Sequence, residues 1–161
     1  MERERFEAIL DEVYQGEVIG EAFFYTLLTR FTTPDQQYKL GSLLQLETEL
    51  KARVRPIALA HGVNLVEREE SRQKGRDLVE SLDGETWKEV MASFAEVMKP
   101  IVARYHEIGA SIPEEYRELG VALGVHEQSI GDFAMMEAAG EVDKSIADVV
   151  AQLMYPMPEP K

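Results

Sequence analysis

The sequence predicts an all-α fold: four long helices paired as two hairpins, a long crossover between the second and third, and a short fifth helix. Three observations predict it. Apolar residues recur at i, i+3, i+4 and i+7 over four long segments, the pattern of a helix with one buried face. Helix starts and stops punctuate those segments at short turns. No stretch shows the strict alternation of a half-buried strand.

The first thirty residues place Phe6, Ile9, Leu10, Val13, Gly20, Phe24, Leu27, Leu28 and Phe31 on one helical face. The run TTPDQQ then supplies a fresh start, with Thr33 as N-cap, Pro34 at the first helical position and Gln36 completing a capping box. The second helix turns Leu40, Leu43, Leu50, Val54, Ile57 and Ala58 inward and ends near His61-Gly62, with Pro56 expected to bend its last turns. Residues 63–84 are polar and charge-dense, with a short helical pattern around 66–81, and read as a crossover within one domain. The third long helix starts near Glu85 and carries Trp87, Val90, Met91, Phe94, Met98, Ile101 and Tyr105 on one face, with a kink expected at Pro100. Ser111 and Glu114 stand at capping-box spacing before the fourth, which runs to about Ala139 and stops at Gly140. EVDKSIADVVAQLM reads as the short fifth helix. The sequence thus predicts a single domain over 1–154 and a loose, proline-rich tail over 155–161.

The bulk numbers narrow the function classes. A chain of 161 residues can bury one substantial core, and 45% hydrophobic with 29% charged residues is an ordinary globular composition. A net charge of −13 opposes long-range attraction to nucleic acid or an anionic membrane surface. The basic cluster Arg68, Arg72, Lys74 and Arg76 is interleaved with Glu67, Glu69, Glu70, Asp77 and Glu80, the composition of a solvated helix. With no cysteine, disulfides, thiolate nucleophiles and Cys-ligated metals are excluded. The charged, amphipathic start lacks the apolar stretch of a secretory signal, and no run approaches the roughly 18 apolar residues of a membrane span. The expected location is the cytoplasm.

The informative residues are polar ones on the buried stripes. Glu17 lies among Leu10, Val13, Gly20 and Phe24, and Glu21 follows a turn later. Glu47 falls among Leu43, Leu44, Leu50 and Val54, whereas Glu49 points to the opposite side. In GVHEQSIGDF, His126 and Glu127 both lie on the stripe, and Glu137 follows near the helix end. One inward glutamate is commonly a boundary residue whose head reaches water. Three helices each aiming a carboxylate inward point to a cation or shared protons, since a buried charge costs several kcal/mol unless compensated. His126 taken singly reads as a hydrogen-bonded core histidine, and His61 and His106 as surface or helix-end residues.

GEVIGEAFFYTLL, LLQLETELKARV and HEQSIGDF resemble the ligand-bearing segments of the ferritin-like superfamily, the group of ferritins, bacterioferritins, rubrerythrins and di-iron oxygenases. The resemblance covers residues 5–139. It implies a four-helix bundle around a two-metal carboxylate site, usually iron, engaged in oxygen or peroxide chemistry. It places Glu17 at the first-helix ligand position and Glu47 and Glu127 at the glutamates of the two Glu-x-x-His motifs. The departures are substantial. Leu50 and Ile130 stand where the motif histidines belong, and the third helix has no inward carboxylate, Glu96 pointing away. His126 precedes its glutamate, so it cannot reproduce an i, i+3 bite.

Two divalent ions need roughly eight to twelve donor atoms, which this set does not supply. Glu17, Glu47, Glu127 and His126, with Glu21 or Glu137 in support, could hold one ion, iron or manganese, with water completing the shell. The expected function is therefore a ferritin-like module with a degenerate site that binds a metal ion weakly, or a small polar ligand, or a partner. The alternative is a di-iron-type oxidoreductase with atypical ligands. Three successive aromatics, Phe23, Phe24 and Tyr25, cannot all enter one core, so a homodimer through Phe23 or Tyr25 is expected.

Overall fold

The computed structural model describes residues 2–160, and all regular structure among them is helical. The helices are α1 (Arg3–Arg30), α2 (Pro34–Ala60), α3 (Glu69–Ser81), α4 (Trp87–Ser111), α5 (Arg117–Ala139) and α6 (Ala147–Val150), with a 3₁₀ turn at Glu114–Tyr116. None of the described helices is long and apolar enough to cross a membrane. The chain divides into two compact units: the first runs to Glu80 and includes the stretch from Met157, and the second is Ser81–Pro156.

In the first unit α1 packs on α2 through the stripes that periodicity marked out, with Leu10, Val13, Phe24, Leu27, Leu40, Leu43 and Val54 all buried. Burying each such side chain is worth about 1.5–3 kcal/mol before entropy is counted. The turn between the helices is held by side chains. Thr33 Oγ1 accepts from the Gln36 amide and Gln36 Oε1 from that of Thr33, each at 3.3 Å, closing the expected capping box. Gln37 Nε2 donates to the Leu28 and Phe31 carbonyls, at 2.8 and 2.6 Å, satisfying acceptors left over at the end of α1.

The crossover is tied to α1 by one buried amide. Gln15 Nε2 donates to the Val66 carbonyl at 2.9 Å, while its Oε1 accepts from the Arg68 amide and the Ser71 hydroxyl. A Cβ at Gly75 would lie 2.8 Å from Ala22 Cβ and 2.9 Å from the Phe23 nitrogen, so α3 approaches the α1 backbone at a glycine. Of the three successive aromatics, Phe23 and Phe24 are buried and Tyr25 alone stays exposed, at 67%. The three arginines of the crossover are paired with acids: Arg68 with Asp11, Arg72 with Glu67 and Arg76 with Glu69. From the C-terminal stretch, Met157 seats its methyl over Gly41 of α2.

In the second unit α4 packs on α5 through Val90, Met91, Phe94, Met98 and Ile108 on one side and Leu123, Ile130 and Phe133 on the other. Helix α4 opens two residues later than its pattern suggests because Thr86 and Glu89 form a capping box. The capping box expected at Ser111 does not form: Ser111 remains the last residue of α4, its hydroxyl donates to the Ile108 carbonyl, and α5 begins without a side-chain cap. Gly140 ends α5 in the left-handed conformation at φ 87°, which a residue with a Cβ reaches only at a cost. The fifth helix is much shorter than its pattern, spanning only Ala147–Val150. Ser145 explains the loss, since its hydroxyl is taken by the Val142 carbonyl and by Glu137, a local side-chain bond that competes with helix.

Candidate metal centre

Glu17 of α1 and Glu47 of α2 are both buried, at 0% and 4% exposure, and offer carboxylate oxygens within 4.8 Å of one another. Two ionised carboxylates at that separation repel by about 3.5 kcal/mol at an effective dielectric of 20. A shared proton, a cationic neighbour or a bound cation relieves that repulsion.

Gly20 makes room for the pair. The three atoms nearest to a Cβ built at Gly20 are the carboxyl carbon and both carboxylate oxygens of Glu47, all close enough to overlap it. The Glu47 head therefore lies flat against the α1 backbone at the only kind of residue that permits it. The acid is seated in a cradle with no side chain of its own, and the apolar stripes on either side fix the helix register that puts it there.

In the second unit His126 is buried on α5, at 1% exposure. The neighbouring Ser129 hydroxyl donates to the His126 backbone carbonyl at 2.8 Å. Within the first unit Glu17 and Glu47 together offer two buried carboxylates, hard donors of the kind that hold a divalent cation. Helix α4 buries no acid, and Glu96 is exposed and paired with Lys99, as its phase on the helix predicts.

The remaining sequence candidates fall outside that donor set. Glu127 is buried beside His126, but adjacent helical residues diverge by about 100°. Glu21 pairs with the Lys51 ammonium and accepts from the Thr48 hydroxyl at 2.7 Å. Glu137 accepts from the Trp87 indole N–H at 2.6 Å and from the Ser145 hydroxyl. It thereby clamps the start of α4, the end of α5 and the loop beyond, a structural task performed by a buried acid.

Lys51 is the residue that periodicity did not single out. It lies on α2, 4% exposed, with Nζ bonded to Glu21 and, at 2.6 Å, to Glu67 of the crossover. Burial alone would lower its pKa, but the bonds to Glu21 and Glu67 overcome that and hold it above the ordinary lysine value. The Lys51 bond in turn holds Glu67 below the usual carboxylate range against its own burial, with Arg72 and Arg55 assisting. A sequence signal was available: Glu21 follows Glu17 by four residues, and Lys51 follows Glu47 by four.

A solvent-open cavity of about 490 Å³ in the first unit reaches this network, lined by Val18, Glu21, Tyr25, Leu44, Arg72 and Arg76 among others. With fold and geometry in hand, comparisons with known proteins add no assignment. No family model, curated protein or solved structure matches the chain.

Proposed function

We propose that this chain is a ferritin-like four-helix-bundle protein whose reduced carboxylate site binds one divalent cation and serves as a binding module. Glu17 and Glu47 of the first unit are its two carboxylate ligands. The observation that carries this reading is the Glu47 carboxylate seated over Gly20 beside a second buried carboxylate. Two carboxylates completed by water fit a single divalent ion such as manganese or ferrous iron. The loss of both motif histidines, replaced by Leu50 and Ile130, and the absence of an acid among the buried residues of α4 argue against a second ion. A bound cation would supply charge neutralisation to the carboxylates and an open coordination position to a small polar ligand.

Elemental analysis of protein expressed without chelators tests the proposal. It predicts one equivalent of iron or manganese per chain, lost in Glu47→Gln. Two equivalents that survive dialysis, or none after incubation with either ion, would end it.

The oxidoreductase alternative draws on one feature, the buried Tyr14 three residues before Glu17 on the same helix. That reading predicts aerobic oxidation of added ferrous ion, slowed in Glu47→Gln, and fails if ferrous ion is bound without being oxidised.

A further inference from the structure

The first unit holds a second set of oxygen donors next to the first. Gly20 meets Glu47, and the residues that follow each of them, Glu21 and Thr48, also meet, the hydroxyl donating to the carboxylate at 2.7 Å. Glu67 of the crossover supplies a further carboxylate, and the Lys51 ammonium is held between Glu21 and Glu67. The ammonium is almost fully withdrawn from water. An ammonium on a flexible stem is a compact point charge, the side chain that most closely stands in for a metal ion. Two carboxylates and a hydroxyl are also hard oxygen donors of the kind that hold magnesium, calcium or manganese. Glu21 lines the open cavity, so an ion could reach this cage from solvent.

We infer that Lys51 is a tethered cation that fills a second carboxylate cage, formed by Glu21, Glu67 and Thr48, and so limits the α1–α2 hairpin to one exchangeable metal ion. The inference takes the count of one from the reading above, yet concerns different ligands. Removing the ammonium takes from Glu21 its cationic partner while Glu67 keeps Arg72 and Arg55, and a divalent ion can take the vacated place beside the two acids. Lys51 thereby sets metal stoichiometry without being a ligand.

Calorimetric titration of the full chain with Mn²⁺ tests this. Lys51→Ala is expected to bind one more equivalent than the unmodified protein, Lys51→Arg no more, and Lys51→Ala with Glu21→Gln to lose the added equivalent. Equal stoichiometry for Lys51→Ala and the unmodified chain overturns the inference, as does a second equivalent bound while Lys51 is intact. If Lys51→Ala is unfolded without metal, millimolar Mn²⁺ should restore its helical circular dichroism, and failure to do so overturns the inference equally. Zero equivalents for the unmodified chain with one for Lys51→Ala would remove the Glu17–Glu47 site and leave the Lys51 cage standing.

Discussion

In the second unit a methyl group at Gly109 would run into the Gly120 carbonyl oxygen, and one at Gly120 would lie 2.6 Å from the Gly109 carbonyl oxygen. In the first unit a methyl group at Gly20 would instead meet the Glu47 carboxylate. The same residue type occurs in both helical hairpins, but one glycine lets two backbones touch while the other seats a charged side chain. Backbone cannot step aside, whereas the end of a glutamate can. A glycine opposite backbone therefore serves packing, and a glycine opposite a carboxylate serves a site. The buried acids divide in the same way: Glu137 is bonded to two neutral donors, whereas Glu47 faces another acid.

The largest effect expected from this contrast is at Gly109. Gly109→Ala should destabilise the protein by about 2–3 kcal/mol in urea unfolding, because overpacking against backbone forces the helices apart. Gly20→Ala should leave stability unchanged or raise it by up to about 1 kcal/mol, as expected for glycine to alanine in a helix interior. Equal losses at the two positions would break the distinction.

Glu137→Ala comes next, with a loss of about 1–3 kcal/mol, since the Trp87 indole N–H loses this acceptor and the buried Ser145 hydroxyl keeps only the Val142 carbonyl. Glu47→Gln should be neutral or stabilising by the same measurement, because it removes a like-charge contact. A large loss at Glu47 and none at Glu137 would reverse the assignment of structural and functional acids.

A smaller effect concerns pH. Glu67 is held below its ordinary value of 4.5, so its contribution to stability is complete above that pH and disappears as pH falls through the lowered value. Unfolding followed from pH 6 to pH 3 should show a loss that Glu67→Gln reduces. An unchanged acid limb in Glu67→Gln would detach Glu67 from the Lys51 network. The smallest effect is at a helix start: Thr86→Ala should cost about 1 kcal/mol through loss of the α4 capping box.

The helices were readable because burial imposes a period on the sequence, and Thr33-Pro34, Gln36 and Gly140 acted where local chemistry said they would. Local signals misled where a residue had a stronger partner elsewhere. Ser111 bonds backward into its own helix and caps no new one, and Ser145 is drawn to Glu137 in a stretch whose pattern is helical. Glu17 and Glu47 were legible because a carboxylate on an apolar stripe is an anomaly within one helix. The Gly20 cradle and the Lys51 cage were not, because each joins residues from separate elements. Of the two residues offered for an exposed surface Tyr25 is the exposed one, and nothing local shows that Gly75 brings α3 against the α1 backbone at Phe23.

The measurement that tests the central claim most directly is Mn²⁺ titration of Gly20→Ala beside the unmodified chain, with unfolding followed on the same samples. A methyl group there displaces the Glu47 carboxylate without disturbing backbone. The unmodified chain should bind one equivalent, and Gly20→Ala should bind at least about tenfold more weakly, roughly 1.4 kcal/mol, at undiminished stability. Equal affinity in the two proteins, or no binding by the unmodified chain, would contradict a cation site built on Glu17 and Glu47.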